Sequence, residues 1–433
     1  VTDTPLPLIS RPAVGRHLTG SLVGKILAIV VLSALLVSRD ADWVMHPTLW
    51  AEDGVIWFQN AYTKGLRVLV MPSAGYINLF PYAMALAARA LPLGWLPGWM
   101  MAGGFIAQVA PAVLLLLRGA PLAPSIWARG ALTVFYLGVP NSYEIHLNLT
   151  NAQWHLMLLS FLMLVLPAPQ ARGWRGLQYG VLLISGLTGP FCLFLAPVAL
   201  WQWLGAAPDQ RRHAFIQAAI VASAALIQVL CLLTLGAGER QSLVLGASAT
   251  RLARMLTDQV FLSGVLGTAN VGVLKQGALW QEPAMAWGVA LAGLSVIALA
   301  LVKGPSSFRK FCLAGLILLA CALVSPAGAP VGDQWALLGM LGYGGRYFVI
   351  PILIFFIACL ILACKAPGRL RIPACALLCV FMVGVWADWL YPTRSGTFAA
   401  YHQAVEAFEE APPGTQVSFP EASPGWNMVL TKR

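Results

Sequence analysis

The stretch GSLVGKILAIVVLSALLVSRDADWVMHPTLWAEDG, Gly20–Gly54, decides how the rest of the chain is read. Its first half is an apolar run, Gly20–Val37, close to the roughly 20 residues that a helix needs to cross the hydrocarbon of a bilayer. Its second half crowds Asp40, Asp42, His46, Glu52 and Asp53 into fifteen residues. An apolar helix that runs straight into a cluster of acids places titratable groups at a membrane surface, where they point to chemistry. Glu52 and Asp53 are read as the reaction centre, and the remainder as its housing.

Composition supports that reading. The chain has 433 residues, of which 59% are hydrophobic and only 10% charged, and its mean hydropathy is +0.76. Soluble domains carry about 25% charged residues, so this is a polytopic membrane protein. The 16 tryptophans suit membrane interfaces. A net charge of +11 would fit nucleic acid if it were gathered on one face. Here it is spread over short segments between apolar runs, and no nucleic-acid partner is expected. The eight cysteines all fall in apolar runs without zinc-ligand spacing and read as small packing residues. The N-terminal VTDTPLPLISRPAVGRH has no cleavage-site pattern, so the first apolar run is expected to be a retained anchor.

Eleven runs are expected to cross the membrane: Gly20–Val37, Pro97–Leu117, Arg129–Pro140, Ala152–Leu166, Gly176–Leu187, Pro190–Leu204, His213–Leu235, Pro283–Leu301, Phe311–Val324, Phe348–Cys364 and Ile372–Trp389. The sequence Gly186-Leu187-Thr188-Gly189-Pro190 splits one long run in two. A broken helix is tolerated where its backbone is buried in protein or lines a cavity, so the break hints at an internal site. Tyr76–Leu91, with Asn78, Pro81 and Arg89, is placed as a juxtamembrane helix. With the N-terminus inside, the inner segments hold Arg11, Arg16, Lys25, Arg118, Arg129, Arg172, Arg175, Arg211, Arg212, Lys303, Arg309, Lys310, Lys365, Arg369 and Arg371, against only Asp3 and Asp209. This is the positive-inside pattern. The outer side then holds Ser38–Leu96, Asn141–Asn151, Gly236–Glu282, Ser325–Tyr347 and a C-terminal tail, 390–433. The tail is expected to form a helix over Thr397–Glu410 and a strand over Gln416–Phe419, and is too short for an independent enzyme domain. Residues 1–389 form the transmembrane module, with 38–96 as its first outer loop.

Four groups of residues could carry chemistry. A carboxylate of Glu52 or Asp53 can act as general base toward a hydroxyl, with its neighbour orienting it or binding a cation. Trp50, Trp57 and Phe58 beside them would form an apolar wall or a sugar-stacking face; the plainer alternative is solvated loop acids beside an interfacial anchor. Asp40 and Asp42 are weaker candidates, because Arg39 can pair with them. In NSYEIHLNLTNAQWH, Asn141–His155, the side chains of Glu144, His146, Asn148, Asn151, Gln153, Trp154 and His155 suit the hydroxyls and ring face of a sugar. Helix capping by Asn148 or Asn151 is an equal alternative. In GYGGRYF, Gly342–Phe348, Arg346 follows close-packing glycines and could grip phosphate with its fork, or simply snorkel. Arg240, Arg251, Arg254 and Lys275 are further phosphate candidates, although RLARMLTDQ reads first as a surface amphipathic helix. No Walker loop, HExxH or GxSxG motif is present, and two isolated histidines do not make a metal site.

An anchor helix, an acidic pair in the first outer loop, a juxtamembrane helix and many further crossings resemble the GT-C superfamily of glycosyltransferases, and a bacterial branch within it. The matching pieces are WAEDGVIWFQNA (Trp50–Ala61), NLTNAQWHL (Asn148–Leu156), TGPF (Thr188–Phe191), GGRYFVIP (Gly344–Pro351) and PGWNMVL (Pro424–Leu430). Their order along the chain carries the likeness more than any one of them. The resemblance implies an all-α inner-membrane protein with its site facing the periplasm. It implies sugar transfer, with inversion, from a polyprenyl-phosphate donor to a glycan, lipid or protein acceptor of the kind found on pilins or surface polysaccharide. Asp53 or Glu52 inherits the role of base. Arg346, with Lys275 or Arg254, would hold the donor phosphate, and the lipid tail would lie near Thr188-Gly189-Pro190. Trp50, Trp57, His146, Asn148, Asn151, Gln153 and Trp154 would hold sugar or acceptor. The resemblance leaves room for a divalent cation and names no other cofactor. A flippase of lipid-linked sugar, or an acyl- or phosphotransferase on the same lipids, are the competing classes; the first is expected to show an internal repeat, and none is present.

Overall fold

The computed structural model describes residues 21–119, 121–234, 244–326 and 332–433. Asp3, Arg11, Arg16, Gly20, Leu235 and Arg240, used above, lie outside them. Every apolar run expected to cross the membrane is helical where described: α1 Leu22–Val37, then α3 Leu96–Arg118, α4 Ile126–Leu137, α5 Ala152–Val165, α6 Arg172–Gly186, α7 Phe191–Leu204, α8 Pro208–Thr234, α9 Pro283–Lys303, α10 Ser306–Val324, α11 Val349–Lys365 and α12 Gly368–Ala387. The juxtamembrane helix is α2, Leu79–Ala88, and the tail carries α13, Phe398–Glu410. Helix accounts for 73% of the described residues, so the protein is an all-α membrane protein. Among the described residues, six helices are long and apolar enough to span a bilayer by length and composition: α3, α8, α9, α10, α11 and α12. The strands are two antiparallel hairpins, β1 Pro72–Ser73 with β2 Tyr76–Ile77, and β3 Gln416–Pro420 with β4 Asn427–Thr431.

A helix that is apolar all round must be central or lipid-facing, and the structure divides its helices that way. Val349–Ala363 of α11 is buried throughout, packed among α9, α10 and α12. Phe356 on α11 stacks on Phe135 of α4 with ring centroids 3.9 Å apart, and Phe381 of α12 meets both edge-on. In contrast, α9 and α12 turn Leu291, Val302, Ile372 and Trp386 outward, as lipid-facing helices do.

The break after α6 falls where it was expected, with Gly189 in the left-handed region at φ +75°. Its backbone is satisfied by the chain itself. The Gly189 amide donates to the Ile77 carbonyl (3.0 Å) and the Leu79 amide to the Leu187 carbonyl (2.8 Å). Gln228, buried on α8, accepts from the Ile77 amide and donates to the carbonyls of Ile77 and Gly189. The break is therefore the socket for β2.

The segments expected on the outer side gather at one end of the bundle, and Arg39 is the pin. Its buried guanidinium donates to the carbonyls of Leu137 (2.7 Å) and Val139 (3.4 Å) at the end of α4 and of Asp388 (2.9 Å) and Trp389 (3.3 Å) just beyond α12. Its central carbon lies 4.3 Å from the centroid of the Tyr391 ring. The last carbonyls of a helix lack partners and carry partial negative charge, so a cation there both satisfies and neutralises them. This corrects the expectation that Arg39 pairs with Asp40 or Asp42. Asp40 faces Arg394 (3.5 Å), and Asp42 faces His46 (3.1 Å) and the Ser395 hydroxyl. Asp388 continues the junction, accepting from the amides of Asn141 (2.9 Å) and Thr268 (2.9 Å). RLARMLTDQ is likewise corrected. It forms a helix, Ala249–Met255, that widens into a π-helix, Leu256–Leu262, with Thr257, Asp258 and Gln259 buried rather than lying on a surface. Gln259 accepts from the Asn141 amide group (2.8 Å) and donates to the Leu338 carbonyl (2.8 Å).

Arg39→Ala leaves the four carbonyls without their donor and is expected to cost about 3 kcal/mol. Thermal unfolding of the purified protein in detergent checks this, with Arg39→Lys retaining part of the loss.

Candidate active site

The site is built on the π-helical turn Asp53–Phe58, which runs on as Gln59–Lys64. Ala51, just before the acids, sits at φ +47°, a region that L-residues enter at a cost. That turn points Asp53 inward and leaves Glu52 half-exposed. Asp53 is 2% exposed, and its Oδ1 accepts twice from Thr150, from the amide at 2.9 Å and from the hydroxyl at 2.8 Å. Trp57 donates from its indole to the same hydroxyl (3.1 Å), which fixes the direction in which Thr150 gives its proton. Burial pushes the Asp53 carboxyl up to about 7, against the opposing pull of the Thr150 bonds. Burial also raises Glu52, with Arg346 lowering it and Glu144 raising it. Glu52 thus faces a second cluster, in which the Arg346 guanidinium pairs with Glu144 and the Arg346 amide donates to the same carboxylate (3.2 Å).

The second loop is brought against the first by close backbone packing. Gly104 on α3 lies so near Asn148 that a Cβ would stand 2.6 Å from its carbonyl carbon. Asn148 and Asn151 spend their amides locally, on the Glu144 carbonyl (2.8 and 2.9 Å) and on each other. These bonds stay within the loop itself; Asn151 stands at the N-cap position of α5 without a side-chain capping bond. His146 is fully buried, beside Gln108 (3.4 Å) and edge-on to Tyr391. Burial, Arg39 and Arg394 keep its imidazole neutral, well below its usual range. Gln153 Oε1 and Trp154 Nε1 are buried without a hydrogen-bond partner among the described residues, and the Trp154 ring lies edge-on to Phe191 and Tyr347.

Trp50 and Trp57 serve the scaffold. Trp57 is buried with its ring edge on Tyr82. Trp50 forms one wall of a box around Arg394, with Trp43 and Tyr143; the guanidinium is 4.7, 4.4 and 3.7 Å from the three ring centroids. Arg394 also donates to the His146 carbonyl (3.1 Å), so a residue of the tail ties the first and second loops together. Cation–π contact and hydrogen bonding compensate its burial. Lys275 pairs with Asp258 (2.7 Å), Arg251 with Asp333 (3.0 Å), and Arg254 donates to the Gln281 carbonyl. The partners of Lys275 and Arg254 come from the third outer segment itself.

Glu421 was missed. It comes from the end of β3, is 3% exposed, and accepts from the Val55 amide (3.0 Å) at the start of the Asp53 turn. Its sequence surroundings, FPEASPG, carry no signal beyond a buried-looking acid after an apolar strand. Among the described residues, no group of three or more His, Cys, Asp or Glu side chains is arranged to hold a metal ion.

Thr150→Val removes the hydroxyl bond to the charged form while keeping the amide bond. The Asp53 carboxyl is then expected to titrate above about 7, as followed by its infrared carboxyl band.

No protein-family model, curated protein or solved structure matches this chain, so its site is read from geometry.

Proposed function

We propose that this protein is an integral membrane glycosyltransferase that moves a sugar from a polyprenyl-phosphate donor to a hydroxyl of a glycan, lipid or protein. On this reading it crosses the bacterial inner membrane eleven times in a GT-C-like arrangement, with the Asp53 end in the periplasm. The observation that carries it is the Asp53 carboxyl, buried at a bundle end, oriented by Thr150 and raised to about 7. A general base works best when its pKa lies near the working pH.

In the proposed reaction the acceptor oxygen attacks the anomeric carbon as the carbon–oxygen bond to the lipid phosphate breaks. The bonding pair leaves with the phosphate, and the acceptor proton passes to Asp53. Arg346 would meet the charge that develops on the phosphate, sharing its guanidinium between that group and Glu144. Glu52, between Asp53 and the Arg346–Glu144 pair, would orient the acceptor. The orphaned Gln153 and Trp154 are the polar groups best able to bind a sugar hydroxyl. The lipid tail would run beside the α6–α7 break, where Met157, Ser160, Leu182 and Phe191 line a small apolar cavity. Lys275 and Arg254 have no part in this scheme.

Because only ionised Asp53 accepts a proton, transfer should rise as pH passes about 7. Asp53→Asn is expected to lower transfer by roughly 10²–10⁴-fold while lipid binding persists. Product mass should grow by one hexose or pentose. Transport without a product, or an acyl or phosphate increment, would overturn the proposal.

A further inference from the structure

Glu421 enters the first loop from the opposite end of the chain. Oε1 accepts from the Val55 amide and lies so near Gly54 that a Cβ there would stand 2.7 Å from it. The following amide, of Ala422, donates to the Leu49 carbonyl (2.8 Å), which fastens the hairpin to the loop ahead of Asp53. The other oxygen, Oε2, is buried with no hydrogen-bond partner among the described residues. Asp53 is the first residue of the turn that Glu421 caps. No described ion pair brings a cation to either carboxyl.

Two adjacent buried carboxylates without a cation repel each other and pay for desolvation separately. An ionised Glu421 would also put charge on Oε2, where no donor meets it. A protonated Glu421 places its hydroxyl at Oε2 and still offers Oε1 to the backbone as a carbonyl oxygen. We propose that Asp53 and Glu421 hold one proton between them, with Glu421 the protonated member, so that the C-terminal hairpin positions the base carried by the first loop. The functional half of this rests on the reading of Asp53 as base; the shared proton rests on the burial of both carboxyls and on the seating of Glu421 at Gly54 and Val55, next to Asp53.

The titration directions agree. Burial first, then the charge of Asp53, pushes Glu421 up to about 8, and burial pushes Asp53 up to about 7. The groups that face Glu421 are Asp53 and Glu52 from the first loop and Tyr401 from α13, and the Tyr401 hydroxyl is itself raised by burial and by Glu421. As coupled sites, the two carboxyls titrate in two steps that belong to the pair.

The test is an infrared pH titration of the carboxyl bands of the full-length protein in detergent. At pH 7 the wild type should show a protonated-carboxyl band that Glu421→Gln loses. In Asp53→Asn the Glu421 midpoint should fall by about one pH unit, because the neighbouring charge is gone. Undiminished intensity in Glu421→Gln, or an unmoved midpoint in Asp53→Asn, overturns the shared proton; the second variant decides if the first does not fold. For positioning, Glu421→Gln, which keeps a neutral cap, should hold sugar transfer within about threefold of wild type at pH 7, whereas Glu421→Ala should lose about tenfold or more. Equal transfer by both variants overturns the positioning role. If the wild type itself transfers no sugar, the proposed reaction fails, and the infrared result still decides the pair.

Discussion

The double hydrogen bond from Thr150 to Asp53 is the constraint on which the rest of this site depends. It joins two loops separated by about a hundred residues and gives a buried acid a fixed orientation. Without it, burial alone would drive the carboxyl far toward its neutral form. With it, the acid stays within reach of ionisation near neutral pH. Trp57 makes the arrangement directional, because its indole occupies the Thr150 oxygen and leaves the hydroxyl proton for Asp53.

Around that bond the bundle end is held by cations that face backbone and aromatic rings more than carboxylates. Arg39 sits on the carbonyl ends of α4 and α12, and Arg394 sits in a box of indole and phenol rings. Both are buried, and both link segments hundreds of residues apart. Guanidinium suits this work because it is weakly hydrated for an ion and presents several donors in a rigid plane. Some of the acids of the same region are structural, Asp40 facing Arg394 and Asp388 the backbone of two neighbouring segments. Asp53 and Glu421 have no described cation, and Glu52 shares Arg346 with Glu144. A site that keeps its acids underpaired is poised to exchange protons.

Much of the fold was legible because an apolar run in a membrane protein satisfies its backbone most readily as a helix. The break at Gly189 could be read from Gly-Pro chemistry, and the helix and first strand of the tail from their periodicity. The pairing partner of that strand, β4, could not, since its neighbour is fixed only by the tertiary fold. Asp53 was legible as an acid beside a membrane helix. Its partners were not, because Thr150 is an ordinary residue in sequence and Glu421 stands 368 positions away. Sequence also overestimated the aromatics. A Trp beside an acid looks like a sugar platform, yet Trp50 and Trp57 are spent on Arg394 and Thr150. Arg39 misled for a similar reason: neighbouring acids suggested an ion pair, while the helix ends that claim it come from elsewhere in the chain. Asn148 and Asn151 spend their side chains within their own loop.

The central claim is that Asp53 stands beside the leaving group of a lipid-borne donor. A structure of the protein with a bound polyprenyl-phosphate sugar analogue tests it most directly. The account predicts the phosphate at Arg346, with the anomeric carbon facing the Asp53 carboxyl. A lipid head bound at the opposite, basic end of the bundle, with Asp53 remote from it, would contradict the account.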